Sequence, residues 1–365
     1  MVLPKKRMER WKRGKVGQRQ TELLEFKMVE QKPKKTYKQQ WSAYNLAQTQ
    51  EYPLFHDLLI ELIDTLIQVR PPLYRRRGKP SFTLKDKLFC IVMKIYFGKS
   101  SRREVGFLSD AKNKGYIDKV PSFNSILRWF NEPFLTPILK HLIEQSGIPL
   151  RDVESQFAID SSGFSTSIYG RWLDVRIGKP SLRRLFKKAH VTSGTRTGIA
   201  TACSVTEGYK HDSPEFFKLV EITSKNFKMR EISGDAAYCS RENYNLVSSL
   251  GAIPFLDFKS NIVAKARGSY IFKRMFEIYK NHKEEWKLHY HRRSLAESLF
   301  SRVKRKFGVH LYSRTEIGQE NEILCKILSH NICVLIQELF EANTTLDFDG
   351  CAKAIVRGNM VQFPN

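Results

Sequence analysis

One acid stands alone in the stretch YHRRSLAESLFSRVKR, residues 290 to 305. Glu297 is the only carboxylate between Glu285 and Glu316, in a run crowded with Arg, Lys and His. On a helix at about 100° per residue, Tyr290, Arg293, Glu297 and Lys304 fall within an arc of roughly 60°. Leu295, Ala296, Leu299, Phe300, Val303 and Phe307 take the adjoining arc, the face expected to pack on a sheet. A solvated helix face more often mixes acids and bases at i,i+4 spacing. Two readings stay open: Glu297 is a salt-bridge partner, or it is the one carboxylate around which a basic surface is arranged.

Two further acids stand out by position. Asp160, in AIDSSG, lies at the end of an expected strand over 155–164, and Asp235, in SGDAAY, at the end of another over 229–238. Sites in open sheets gather at strand ends, where side chains face a crevice, although a strand-terminal Asp also serves as a turn or cap residue. Three carboxylates in one crevice repel each other unless cations neutralise them. Two divalent ions about 3.5–4 Å apart would do so, and would activate a water or 3′-hydroxyl for phosphodiester displacement. Oxygen-only ligands suit Mg²⁺ or Mn²⁺ rather than zinc. The basic stripe beside Glu297 would hold neighbouring phosphates.

Other polar residues compete for these roles. Asp174, Asp212, Asp257 and Glu242 are the acids most easily mistaken for ligands. Asp212 reads as the turn and cap before a helix over 214–222. Asp257, inside the apolar strand FLDF, is either a plain strand residue or, as the less favoured reading, a supporting group. His190, in KKAHVTSG, either lines the crevice or serves structure or DNA contact.

The elements that must position these residues follow from apolar period. Strands are expected at 155–164, 185–194, 198–208, 229–238 and 252–258, with a hairpin between the second and third. Helices are expected from 212 to 222, with Ser213 as cap and Pro214 in the first turn, and at 240–251, 290–305 and 321–342. The result is an α/β class, a mixed five-stranded sheet flanked by helices. An all-helical region precedes it, with helices at 54–69, 84–97 and 101–112 and a short one within 120–133, capped by Ser122 and carrying Arg128 and Trp129. Its last two helices form either a helix-turn-helix reader or a purely structural bundle. Residues 1–40 carry 13 Lys/Arg against 4 Glu, a net of +9, and read as a flexible basic arm. The expected divisions are that arm, a helical DNA-binding domain over 41–150, a catalytic domain over 151–345 and a tail over 346–365.

The whole chain of 365 residues carries a net charge of +25, which favours a polyanionic partner. The longest apolar run, LFCIVMKIYF at 88–97, is too short to span a bilayer and contains Lys94, so no membrane partner is expected. The N-terminus is basic without a following apolar run, and a cytoplasmic, nucleoid-associated protein is expected. Six cysteines are scattered without a CxxC pair, which points to neither a zinc ribbon nor a disulfide framework.

These residues resemble a family. Tyr290, Arg293, Glu297 and Lys304 fill a Tyr-x2-Arg-x3-Glu-x6-Lys signature, and IDSSGF around Asp160 and GDAAY around Asp235 are similar to the first and second acidic motifs of DDE transposases of prokaryotic insertion sequences. The resemblance covers about 155–340. It implies a ribonuclease-H-like fold, Asp160, Asp235 and Glu297 as the catalytic and metal-binding acids, and two Mg²⁺ or Mn²⁺ ions. It also implies Tyr290, Arg293 and Lys304 at the cleaved DNA end, terminal inverted repeats and target DNA as partners, and a homodimer on DNA. Arg302, Lys187, Lys188 and Arg128 are the further expected DNA contacts. WSAYNLAQTQ at 41–50 gives the region before 150 only a general likeness. The separation of 62 between Asp235 and Glu297 leaves no room for the β-rich insertion some members carry. Two rivals remain: a two-metal nuclease that cuts without joining, and a DNA-binding relic or repressor without catalysis.

Overall fold

Alternation along β1 (Gln156–Ser165) sends Phe157 and Ile159 into one apolar layer and Phe164 into the other. β1 pairs antiparallel with β2 (Phe186–Gly194), and β2 antiparallel with β3 (Ala200–Glu207). On its other side β1 pairs parallel with β4 (Glu231–Gly234), and β4 parallel with β5 (Ile253–Leu256). The order is β3-β2-β1-β4-β5, a mixed five-stranded sheet with helices on both faces. The computed structural model describes residues 40–69, 82–166, 176, 186–260, 262–263 and 265–341. The basic arm to residue 39, Asp174 and the tail from 346 lie outside the described residues.

The two parallel strands are shorter than the apolar pattern suggested, and this forks the sheet. Pairing of β1 with β4 stops at Ile159 and Gly234, whereas pairing of β1 with β2 continues to Ser165 and Phe186. Asp160 therefore sits in mid-strand, not at the strand end expected from the sequence. Beyond Ile159 the edge of β1 facing β4 is bare among the described residues, apart from an isolated bridge between Ser165 and His310.

Before the sheet come α1 (Trp41–Val69), α2 (Leu84–Phe97), α3 (Ser101–Asn113), α4 (Phe123–Trp129) and α5 (Leu135–Gly147). α1 begins well before residue 54 and runs through Pro53. Thr83 and Asp86 form a reciprocal capping box at the start of α2, and Ser122 caps α4. Residues 114–122 link α3 to α4, a longer connection than the 3–4-residue turn of a helix-turn-helix.

After β3 come α6 (Ser213–Asn226), α7 (Arg241–Ser249), α8 (Tyr270–Asn281), α9 (Lys283–Tyr290), α10 (Ser294–Phe307) and α11 (Glu316–Glu341). α6 and α7 cover Phe157, Ile159, Ile232 and Leu256 on one face, while Phe255, of opposite parity on β5, meets α9. The other face meets α10 and α11, whose Leu299, Val303, Ile327 and Leu328 share one continuous core with Leu58 and Leu62 of α1 and Leu139 and Leu142 of α5. Among the described residues α11 is the one helix long and apolar enough to cross a membrane, and most of it is buried in this core. Its Asn331 accepts from the Ala200 N–H (2.8 Å) and donates to the Ala200 carbonyl (2.7 Å) and to Ser146 Oγ (2.8 Å), which ties α5, α11 and β3 together.

Candidate active site

Asp160 and Asp235 follow the last parallel pair, Ile159 and Gly234, so they are neighbours where β1 and β4 diverge. A Cβ on Gly234 would come within 2.8 Å of Ile159 and 2.9 Å of Leu256, so only glycine lets β4 end tightly between its neighbours. Asp235 holds an extended backbone and opens a 3₁₀ turn (Ala236–Tyr238) without capping it through its side chain. Among the described residues its carboxylate forms no ion pair. Asp235 therefore serves the turn through its backbone, accepting from the Tyr238 N–H at 3.0 Å, while its side chain makes no cap bond.

Glu297 arrives from the opposite direction, in the first turn of α10. The single helix expected over 290–305 is interrupted: α9 ends at Tyr290, His291–Arg293 form a 3₁₀ turn, and α10 starts at Ser294. Glu231 at the start of β4 draws this tightening, since His289 (2.9 Å) and Arg292 (2.7 Å) both reach its Oε2. His289 also stacks on Phe255, with ring centroids 4.5 Å apart. The expected apolar face of α10 is buried except for Leu295, which is 37% exposed.

Arg293 closes the arrangement. Its Nη2 lies 2.6 Å from Glu297 Oε1 and its Nη1 4.0 Å from Asp160 Oδ1. Burial by itself would lower its pKa, but Tyr290, Glu297, Asp160 and Asp235 together hold it above its usual value. Burial pushes the Asp160 carboxyl up to about 6, opposed by the Ser161 N–H and Arg293 and reinforced by Glu297 and Asp235. Asp160 therefore feels both of the other acids. Lys304 lies two residues further along the same face of β1, where its Nζ donates to Ser162 Oγ at 2.7 Å and sits 5.3 Å from the Phe164 ring centroid. Tyr290 stacks on Trp286, and its phenol, facing Asp257, is pushed up to about 12 by burial and that carboxylate.

The remaining expected contacts divide by strand parity. Lys187 shares the Asp160 face of the sheet but is buried and paired with Glu207. Lys188 points to the other face and pairs with Asp212 at 2.7 Å. Arg302 turns away from the acids: its guanidinium lies against Gly198, at φ +80, where a Cβ would meet Nη2 at 1.9 Å. Arg128 is exposed on α4, with Ser125 as its neighbour at 3.4 Å.

His190 does not line the crevice. It is fully buried on the opposite face, bonded to Thr206 at 2.8 Å, and burial lowers its pKa. Asp212 occupies the N-cap position of α6 but makes no capping bond, because Ser161 (2.8 Å) and Lys188 already engage its carboxylate. Glu242 is exposed in the first turn of α7. Sequence reasoning missed Ser162, Glu231 and the partnership of Asp257 with Tyr290. Asp257 carried a faint signal as an acid inside an apolar run; the other two become visible only through pairing across the fold.

The oxygen-only donors Asp160, Asp235 and Glu297 suit hard divalent cations in kind. Among the described residues no three ligating groups converge as they stand, since Glu297 is turned onto Arg293.

Residues 151–332 match the family model described as Transposase DDE domain. That match supports a DDE transposase, with DNA as the partner such an enzyme acts on. No curated protein and no solved structure matches the chain.

Proposed function

We propose, from the transposase DDE domain match over residues 151–332, that this protein mobilises a prokaryotic insertion sequence and belongs to the group with the Tyr-x2-Arg-x3-Glu-x6-Lys signature. Its sheet is read as a ribonuclease-H-like fold. The observation that supports the reading is the placement of Asp160 and Asp235 just past the last β1–β4 pair, with Arg293 standing between Asp160 and Glu297.

Asp160, Asp235 and Glu297 are the residues that would hold two Mg²⁺ or Mn²⁺ ions. Such ions, when bound, activate the attacking water or 3′-hydroxyl and stabilise the leaving oxygen. Arg293, once released from Glu297, is free to grip a phosphate oxygen bidentately, which keeps the local charge balanced. Lys304, partly buried beside Ser162, supplies a second cation one turn of strand away. Tyr290 orients Arg293 through its ring, 5.8 Å from the guanidinium carbon. Lys188 lies on the far face of the sheet, and Lys187 and Arg302 are engaged within the fold and are left out of this contact set. The helices over 41–150 are read as the domain that recognises the terminal inverted repeats, with Arg128 exposed on α4, and a homodimer would pair two ends.

The test is Mg²⁺- or Mn²⁺-dependent cleavage and joining on DNA carrying the gene's own flanking sequence, with Asp160→Asn, Asp235→Asn and Glu297→Gln beside wild type. Cuts and joined products in wild type alone support the reading. Cuts without joined products indicate a nuclease, and binding without cuts in all four proteins indicates a non-catalytic DNA-binding relic.

A further inference from the structure

A cleft of about 460 Å³ opens on the face of the sheet opposite Arg293 and Lys304. Its lining includes Tyr209, Lys210 and His211 from the turn after β3, Asp212 before α6, Ala237 and Lys259. The cleft adjoins the acids at two points. Ala237 is two residues past Asp235, and Asp212 accepts from Ser161, the residue after Asp160. Since β1 alternates, Asp160 and Ser162 face α10 while Ser161 faces the cleft. The bare edge of β1 beyond Ile159 lies between the two faces.

The charge of the cleft is uncommitted. Asp212 is matched by Lys188, which leaves Lys210, His211 and Lys259 exposed and without an ion pair among the described residues. Tyr209 is 82% exposed beside them. Cations spaced around an open aromatic ring suit a single nucleic-acid strand, because phosphates take the cations and every base offers a face for stacking. Duplex DNA has its bases already stacked and gives such a ring nothing to hold.

We propose that this cleft takes an unpaired stretch of the DNA strand that passes the three acids, with phosphates on Lys210 and Lys259 and a base on Tyr209. This rests on the transposase reading for the identity of the strand. The strand then runs from the α10 face across the open edge of β1 into the cleft, gripped on both sides of the reacting phosphate.

The experiment uses full-length protein and fluorescent oligo-dT against a duplex of equal length, in EDTA. Tyr209→Ala is expected to weaken oligo-dT binding about fivefold or more, with Tyr209→Phe restoring it and duplex binding unmoved. Lys210→Gln with Lys259→Gln is expected to lower the salt dependence of oligo-dT binding by about one to two ions. All three side chains are exposed, so unchanged melting temperatures will show that the variants fold. Iodouracil placed along an unpaired flank should cross-link to Tyr209 in the Asp235→Asn protein. Unchanged oligo-dT binding in Tyr209→Ala, with cross-links elsewhere, overturns the cleft even if wild type still cuts DNA. A cross-link at Tyr209 in a protein that never cuts would instead sink the transposase reading and leave a single-strand site.

Discussion

Arg293 bridges Glu297 at 2.6 Å and reaches toward Asp160 at 4.0 Å, so one guanidinium stands between acids from two different elements. A cation in that place both neutralises the acids and competes with any metal for Glu297. Arg293→Met is expected to increase the thermal stabilisation that MgCl2 gives the protein while lowering DNA cleavage at least about tenfold. Differential scanning fluorimetry across a MgCl2 titration, run beside the cleavage assay, checks both halves. A Mg²⁺ response no larger than that of wild type would show that Arg293 does not compete for the carboxylates.

Tyr290 and Asp257 form a pair behind Arg293. If Asp257 acts by holding the phenol, the two substitutions share one effect. Asp257→Asn and Tyr290→Phe should each reduce cleavage about tenfold, and the double variant should be no worse than the weaker single. A double-variant loss equal to the product of the two singles would show independent roles.

Glu104, in α3, is fully buried, and neither carboxylate oxygen has a hydrogen-bond partner. Burial pushes it up to about 8, only partly opposed by Lys94. A folded-state value above the unfolded one means that its contribution to stability is complete below about pH 4.5 and is lost as pH rises toward 8. Glu104→Gln keeps the neutral shape at all pH values. Its unfolding free energy should match wild type near pH 4.5 and exceed it increasingly up to pH 8, by a few kcal/mol at roughly 1.4 kcal/mol per pH unit, with the melting temperature rising in step. Parallel melting curves for the two proteins across that range would rule this out.

Asn331 substitutes for a strand partner at Ala200, where the pairing of β2 and β3 shifts register. Asn331→Leu leaves the Ala200 N–H and carbonyl buried without partners. The expected loss is about 2–6 kcal/mol, at roughly 1–3 kcal/mol per orphaned group. Urea unfolding measures it, and a loss under about 0.5 kcal/mol would mean that water or backbone movement replaces the bonds.

The sheet and most helix positions were legible because their apolar residues repeat with clear periods: Phe157, Ile159 and Phe164 in β1, and Leu299, Phe300 and Val303 in α10. Ser122 announced the start of α4 through its type alone. The break between Tyr290 and Ser294 was not legible, because it depends on Glu231 drawing His289 and Arg292 across to β4. Asp212 looked like a cap because local rules favour Asp there, and Lys188 and Ser161 outbid the backbone for it. The engagement of Lys187 and Arg302 within the fold was equally invisible: a basic residue in a strand or helix does not disclose whether its partner is Glu207, Gly198 or a phosphate.

The burial of α11 has a consequence for synthesis. This helix is the last element of the described chain, yet it forms the centre of the core that α1, α2 and α5 complete. On the ribosome, the apolar faces of those early helices emerge long before the surface that covers them. A nascent chain must therefore shelter them until α11 clears the exit tunnel. A frameshift or stop codon upstream of residue 316 would not leave behind a working end-binding fragment; it would leave bare apolar helices, a ready load for chaperones and proteases.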